Sequence, residues 1–417
     1  MEATTKIFPY LEKLLNGATV EWKKLGEVAE LYSGLTGKNK HDFENGNALY
    51  IPYKNIFDNI EVHNEQLSKV AISDNEKQNV VKYGDVLFTG SSETPEEVGM
   101  SCAVTTHFDK YIYLNSFSFG LRFNHDIQII PEFAKYLFRC DILRKQIVKT
   151  ASGVTRFNLS KSRFRNILIP LPPLSVQRKI VEILDKFTEL ETELETELEL
   201  RKKQYEYYRD KLLSFDILNR GQKLNDVKIM ALGEIAKYSS TRIKSSCLCE
   251  TSFVGVDNLL QDRKGKTIST HVPTEGTFAE YQVGDILIGN IRPYLKKIWY
   301  ADNSGGASGD VLVIHLTNEQ IMSRYLYQVL ADDKFFSYNM QYAKGAKMPR
   351  GNKQKIMEYK IPIPPLSVQR DIVEILDKFD TLCTSISKGL PKEIELRRKQ
   401  YEYYRDKLLS FPKPIEE

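Results

Sequence analysis

At 417 residues the chain is longer than a single domain, and its 41% hydrophobic and 27% charged content fits a soluble globular protein. No apolar run approaches the roughly twenty residues of a membrane span, and the opening Met1-Glu2-Ala3-Thr4-Thr5-Lys6 is not a signal peptide. Five scattered cysteines fit reduced thiols in a cytoplasm, and a net charge of +4 is too mild to name a partner by itself.

Taken in order, residues 1–171 read as a first variable domain. A short helix carrying Leu11, Leu14 and Leu15 leads into Leu-Gly-Glu-Val-Ala at 25–29. A Gly-, Ser- and Thr-rich loop covers 31–40, and 49–53 is strand-like. Gly84-Asp85 makes a turn into a buried strand at 86–88, and the loop 89–99 follows it. The spacing predicts a strand over 117–123, one helix over 133–148, a loop at 151–156 and a strand at 167–169. Basic residues crowd the end of this domain: Arg139, Arg144, Lys145, Lys149, Arg156, Lys161, Arg163 and Arg165 stand against only Asp141.

Residues 172–215 predict a long helix. Pro172 and Pro173 set a break before it, and Ser175 is placed to cap it. Val176, Ile180, Ile183, Leu184, Phe187, Leu190, Leu194 and Leu198 form a stripe at helical spacing. Its centre, 188–199, is Thr-Glu-Leu-Glu written three times. Period two suggests a strand there, but Glu and Leu are good helix formers between helical flanks, so helix is chosen. Unbroken from Ser175 to Leu213, it would span about 58 Å, roughly 17 base-pair steps.

A second variable domain, 216–363, repeats the first in skeleton and departs from it in detail. Leu-Gly-Glu-Ile-Ala recurs at 232–236 and Gly-Asp at 284–285. A different loop, 289–297, follows the buried strand; 311–316 reads as strand, 321–338 as helix, 343–350 as loop and 361–363 as strand. This domain holds 20 Lys and Arg against 15 Asp and Glu, whereas 172–215 holds 8 against 10.

Residues 364–417 then repeat the helix. Over the opening sixteen positions the copies differ only at Lys179 against Asp371, and over the closing sixteen only at Lys202 against Arg398. The second stripe is Val368, Ile372, Ile375, Leu376, Phe379, Leu382, Ile386 and Leu390, with Ser367 placed to cap it. This copy is longer by four residues and is expected to break near Gly389 and Pro391. Pairing the copies antiparallel would bury both stripes and set the acidic centre near Lys388 and Lys392.

Two equal elements and two unequal ones imply two identical contacts and two different ones. Gln177, Arg178, Gln369 and Arg370, repeated and expected on the surface, are the candidate handles for two copies of one partner. Candidate DNA contacts are the hydroxyl and basic residues of matching loops: Ser33, Thr36, Lys38, Thr89, Ser91, Ser92, Thr155, Arg156 and Lys161 in the first domain. In the second they are Arg242, Asn290, Arg292, Tyr294, Lys296, Lys297, Lys344, Lys347 and Arg350. Lys and Arg neutralise phosphates, and Arg, Ser, Thr and Asn read base edges. Solvated basic loops would look the same in charge; matching position in two unlike domains favours binding.

Catalytic patterns are missing from the sequence. There is no dinucleotide fingerprint and no phosphate loop; Gly305-Gly306-Ala307-Ser308-Gly309 lacks the spacing. The double prolines precede Leu, unlike the motif of amino-methyltransferases. Glu358-Tyr359-Lys360 lacks a nuclease partner, and Cys247-Leu248-Cys249 lacks a second pair or a nearby His, so no metal is expected.

The layout resembles the specificity subunit of type I restriction–modification systems over essentially the whole length. Pro-Leu-Pro-Pro-Leu-Ser-Val-Gln-Arg at 170–178, its counterpart at 362–370, and Gly-Asp-Ile-Leu-Ile-Gly-Asn-Ile-Arg-Pro-Tyr-Leu at 284–295 carry the resemblance. It implies an α+β chain of two α/β target-recognition domains, separated by two long conserved helices that pair as a pseudo-twofold antiparallel coiled coil. It implies that each domain reads half of a split DNA target and that two modification subunits dock on the helices. S-adenosylmethionine, ATP and Mg would lie on those and on restriction subunits, with no cofactor and no catalysis in this chain. The alternatives are a coiled-coil linker without sequence reading, and a self-sufficient methyltransferase.

Overall fold

The computed structural model describes residues 8–44, 46–214, 227–385 and 388–413. They divide into two compact units. Residues 1–193 with 395–417 form the first, and 194–394 form the second. Each unit therefore takes one variable domain, part of the helix that follows it, and part of the other copy.

In the first unit, strand Glu21–Lys24 pairs antiparallel with Leu168–Leu171, so the domain starts and ends side by side. The Leu-Gly-Glu motif makes the single turn Leu25–Val28. Glu27 accepts from the Lys24 backbone N–H at 3.2 Å, and Gly26 lies so close to Arg165 that a Cβ would sit 3.1 Å from its side chain. The main sheet is antiparallel, ordered Ala29–Ser33, Ser118–Phe123, Val86–Thr89, Ser101–Ala103. Phe88 packs on Phe119, Phe138 and Phe164 at 4.9–5.4 Å, each ring buried. Such burial contributes about 1.5–3 kcal/mol per ring. A smaller sheet orders Ser68–Val70, Ala48–Ile51, Ile112–Leu114 and Val80–Val81.

The second unit repeats this frame. Lys228–Ala231 pairs with Lys360–Ile363, and the main sheet runs Ala236–Tyr238, Val311–Leu316, Ile286–Gly289, Ile298–Tyr300. Both Gly-Asp turns have glycine at positive φ, +86° at Gly84 and +91° at Gly284, where a side chain would strain the backbone. Asp85 and Asp285 are buried and each accepts from a backbone N–H three residues back at 2.8 Å.

Several boundaries differ from the sequence reading. The helix expected over 133–148 is two, Pro131–Leu137 and Asp141–Lys149; that over 321–338 is also two, Ser323–Leu330 and Asp333–Gln341. Similar apolar spacing on both sides of an extended Cys140 or Asp332 hides the corner. Strand Ala48–Ile51 stops earlier than expected because Pro52 is extended and a helix, Tyr53–Asp58, begins after it. Strand Ala29–Ser33 takes the first residues of the loop expected at 31–40.

The long helix runs unbroken over Leu174–Leu212, through the Thr-Glu-Leu-Glu segment. Its second copy is two helices, Leu366–Thr384 and Leu390–Leu408, with Gly389 at φ +87° between them. Ser175 and Ser367 are not caps: the helices already start at Leu174 and Leu366, directly after the double prolines. In the first unit Phe187 stacks on Tyr404 at 5.3 Å, and the Arg398 guanidinium meets Glu191 at 2.6 Å. In the second, Tyr205 and Tyr208 stack on Phe379 at 5.9 and 5.5 Å. In the first unit rising numbers on one helix meet falling numbers on the other, so that pair is antiparallel. The stripe is buried at Ile180, Leu184, Ile372 and Leu376, whereas Leu190 and Ile375 are exposed, so it thins toward the middle of the first copy. Ile386 and Phe215 lie outside the described residues.

Candidate nucleic-acid interface

In both units the loop after the buried strand pairs with the loop that precedes the last strand. In the first unit Ser91–Ser92 pairs antiparallel with Phe157–Leu159, which pairs with Ala151–Ser152. In the second, Ile291 bridges Arg350, and Arg350 bridges Lys344. The Arg292 N–H donates to the Pro349 carbonyl at 2.7 Å, and the Gly351 N–H to the Asn290 carbonyl at 3.1 Å. Segments some sixty residues apart are thus one surface in each unit.

On the first surface, Arg156 donates to the Ser91 hydroxyl at 3.1 and 3.0 Å and lies 6.0 Å above the Phe117 ring. Phe117 is 64% exposed, so its ring presents an apolar face to solvent. Thr155 joins them in lining a cleft of about 770 Å³ with Tyr53, Phe57, Ser92 and Glu97. The loop behind the cleft is held by Arg144, whose guanidinium donates to the carbonyls of Gly99, Glu96 and Val98 at 2.6–2.8 Å. Burial pulls the Arg144 pKa down to about 10, so it stays charged at neutral pH. Lys161 reaches the Ser33 hydroxyl at 3.2 Å and lies over Phe119; burial lowers its pKa, helped by Arg165.

Other predicted contacts are turned to internal work. Thr89 is buried and accepts from the Met100 N–H at 3.0 Å. Ser91 and Ser92 are buried too, because they form a strand. Lys38 meets Glu76 at 2.5 Å with its side chain only 6% exposed. Thr36 is exposed, and its backbone exchanges hydrogen bonds with the Gln78 amide.

The second surface is more cationic. Arg292, Tyr294, Lys344, Lys347 and Arg350 are exposed, with Arg350 in an ion pair to Asp310 at 3.2 Å. Arg292 and Lys296 take left-handed backbone angles, φ +51° and +50°, which brace the turn Pro293–Leu295. Lys296 and Lys297 are corrections to the sequence reading: Lys296 binds Asp333 at 2.9 Å, and Lys297 donates to the Val256 carbonyl. Asn290 is buried, and its side-chain oxygen has no hydrogen-bond partner among the described residues. Arg242 is exposed on strand Arg242–Lys244, and no hydrogen bond joins its side chain to the loop pair among the described residues.

The clearest correction concerns the expected handles. Gln177 and Gln369 are fully buried. The Gln177 side chain accepts from the Ile130 N–H at 3.0 Å and donates to the carbonyls of Gln128 and Pro172 at 2.8 Å. Gln369 does the same with Met322, Gln320 and Pro364 at 2.9, 2.9 and 2.7 Å. They are identical because they clamp identical corners. Arg178 and Arg370 are exposed as expected. Tyr53, Phe57 and Phe117 line the cleft but were not among the sequence candidates, since an aromatic beside a strand reads as core whichever way it faces; nor were Glu97, which also lines it, and Arg144 behind it, since a lone charge in a loop carries no signal of where it packs.

Two modules of one topology, with unlike loops on like frames and a repeated helix, define a duplicated recognition protein. The profile of the type I restriction modification DNA specificity domain matches residues 18–200 and again 225–396. The specificity subunit of an Escherichia coli type I restriction enzyme is 31% identical over 97% of this chain and 98% of its own. That of the EcoprrI enzyme, also from Escherichia coli, is 29% identical over 91% and 92%. A solved structure of a type I restriction–modification assembly matches 94% of this chain and 98% of its own at TM-score 0.55 and 17% identity. The chain belongs to the type I restriction modification DNA specificity family, and its role is that of a DNA sequence-specificity subunit.

Proposed function

We propose that each unit reads one half of a split, asymmetric double-stranded DNA target, and that this chain contributes recognition but no catalysis. The observation that carries the reading is the loop pair. It is built at the same place on the same frame in both units, yet from different residues, as two different half-sites require. Methylation-site sequencing of cells carrying the chain with its modification partner tests it. The expected result is one bipartite motif whose halves change independently when either loop pair is replaced. A motif indifferent to both replacements would overturn the reading.

The repeated helices dock two modification subunits and set the half-site spacing. With Gln177 and Gln369 buried, the handle falls to repeated residues that remain exposed. Tyr207 and Tyr403, 57% and 54% exposed, carry Lys211 and Lys407 ammonium groups 5.1 and 5.7 Å over their rings. Replacing both tyrosines with Ala should abolish recruitment of the methylase while leaving circular dichroism unchanged; unchanged recruitment would count against this handle. Deleting one Thr-Glu-Leu-Glu unit shortens the helix by about 6 Å and should shift the spacer by on the order of one or two base pairs. S-adenosylmethionine, ATP and Mg belong to the modification and restriction subunits, and the assembly works in the cytoplasm. Among the described residues no helix is long and apolar enough to cross a membrane.

A further inference from the structure

We propose that the cleft of the first unit reads a cytosine, with the Glu97 carboxylate accepting from the base's N4 amine. This rests on the DNA-reading role above and names the base class that one surface takes.

A carboxylate on a surface that meets a polyanion is costly unless it finds a donor. Glu97 lines the same cleft as Ser91, Thr155 and Arg156, so it stands on the loop pair itself. Its Oε2 is already held by the Thr94 hydroxyl at 2.8 Å and the Ser92 hydroxyl at 3.4 Å. No hydrogen bond engages Oε1 among the described residues. The loop under it is tied down by the three carbonyl contacts of Arg144, so the acceptor is pre-oriented. Exposed Phe117 and the Arg156 guanidinium above it give the cleft an apolar wall and a compensating charge.

The acceptor-only character selects the base. In the major groove cytosine offers a lone amine donor, guanine two acceptors, and thymine one acceptor and a methyl. Adenine offers a donor beside the N7 acceptor, which suits an amide better than a carboxylate. Glu97 therefore fits cytosine and disfavours the other three. The equivalent loop of the second unit, 289–297, contains no acidic residue, so this preference belongs to one half-site.

The test is Glu97→Gln in the full chain, assembled with its modification partner and read by methylation-site sequencing. The amide presents a donor as well as an acceptor. One cytosine position in one half-site should lose discrimination by roughly 10- to 100-fold, with adenine gaining most, and the other half-site should stay unchanged. Glu96→Gln, an exposed neighbour outside the cleft lining, should leave the motif as it is. The proposal is overturned by an unchanged motif in Glu97→Gln, by a shift that appears in Glu96→Gln instead, or by a half-site made only of A·T pairs. Loss of all methylation by a variant that still folds and binds its partner also overturns it. A wild-type complex with no bipartite motif would instead sink the DNA-reading role itself.

Discussion

Replacing Gln177 with Ala removes one side chain and strands three backbone groups. The Ile130 N–H loses its acceptor, and the Gln128 and Pro172 carbonyls lose their donor. Gln177 has no solvent exposure, so water cannot substitute without rearrangement. An unsatisfied buried polar group costs about 1–3 kcal/mol. Some relief is expected because the Ile130 and Gln128 contacts are only partly buried, so a total of about 3–5 kcal/mol follows. For a unit of this size that corresponds to a fall of roughly 10 °C in Tm. The assay is thermal and urea unfolding of the full chain, with Arg178→Ala as a surface control expected within about 0.5 kcal/mol. Gln369→Ala should cost the same amount, since its three contacts match. A change below about 0.5 kcal/mol in Gln177→Ala, together with lost methylase binding, would refute the clamp and restore the docking role.

Three further outcomes follow from particular contacts. Cys249 receives hydrogen bonds from the Ser252 and Thr251 hydroxyls, which stabilise the thiolate and pull its pKa down to about 7. Its alkylation rate should rise to a plateau with a midpoint near pH 7, and Ser252→Ala should move that midpoint upward; an unmoved midpoint would show that the hydroxyl is not the cause. Gly389→Ala puts a Cβ 2.5 Å from the Thr381 carbonyl at φ +87°, so it should destabilise the second copy by more than the about 1 kcal/mol of the backbone angle alone, measured by urea unfolding. Arg292→Ala should weaken DNA binding and flatten its salt dependence by about one unit of slope, while Lys296→Ala, already paired to Asp333, should leave that slope unchanged in fluorescence titrations.

Much of the frame was legible because its cues are local. Gly-Asp before an apolar run gives a turn and a buried strand wherever it occurs, and both copies obey it. The double prolines and the three-or-four spacing locate the long helix, and Gly389 marks where its copy breaks. What stayed hidden depends on contacts between distant residues. The corner at Cys140 is stabilised by the Asp406 carboxylate, which accepts from the Asp141 N–H across 265 positions, and no window on the sequence brings those together. Lys296 and Lys297 look like phosphate ligands beside Tyr294, but Asp333 and the Val256 carbonyl claim them in the fold. Charge in a loop says that a side chain can meet a phosphate; only packing decides whether it is free to.

The buried glutamines change what sequence identity between the two helical copies means. Identity arises wherever the two frames pose the same internal problem. Asp185 accepts from the Tyr136 hydroxyl at 2.6 Å, and Asp377 accepts from Gln328 at 2.7 Å, which occupies the matching position in the second unit. Tyr205 and Tyr401 are likewise buried, each with an Arg four residues on lying over its ring. These pairs are kept alike by the sheets and helices they touch, so they carry no information about a partner. Subtracting them leaves the repeated residues that are exposed in both copies, among them Arg178 and Arg370, Leu200 and Leu396, Glu206 and Glu402, Tyr207 and Tyr403, and Lys211 and Lys407. A duplicated fold explains equal cores without any ligand. Equal exposed surfaces on otherwise unlike modules need another cause, and the proposal of one partner met twice rests on them.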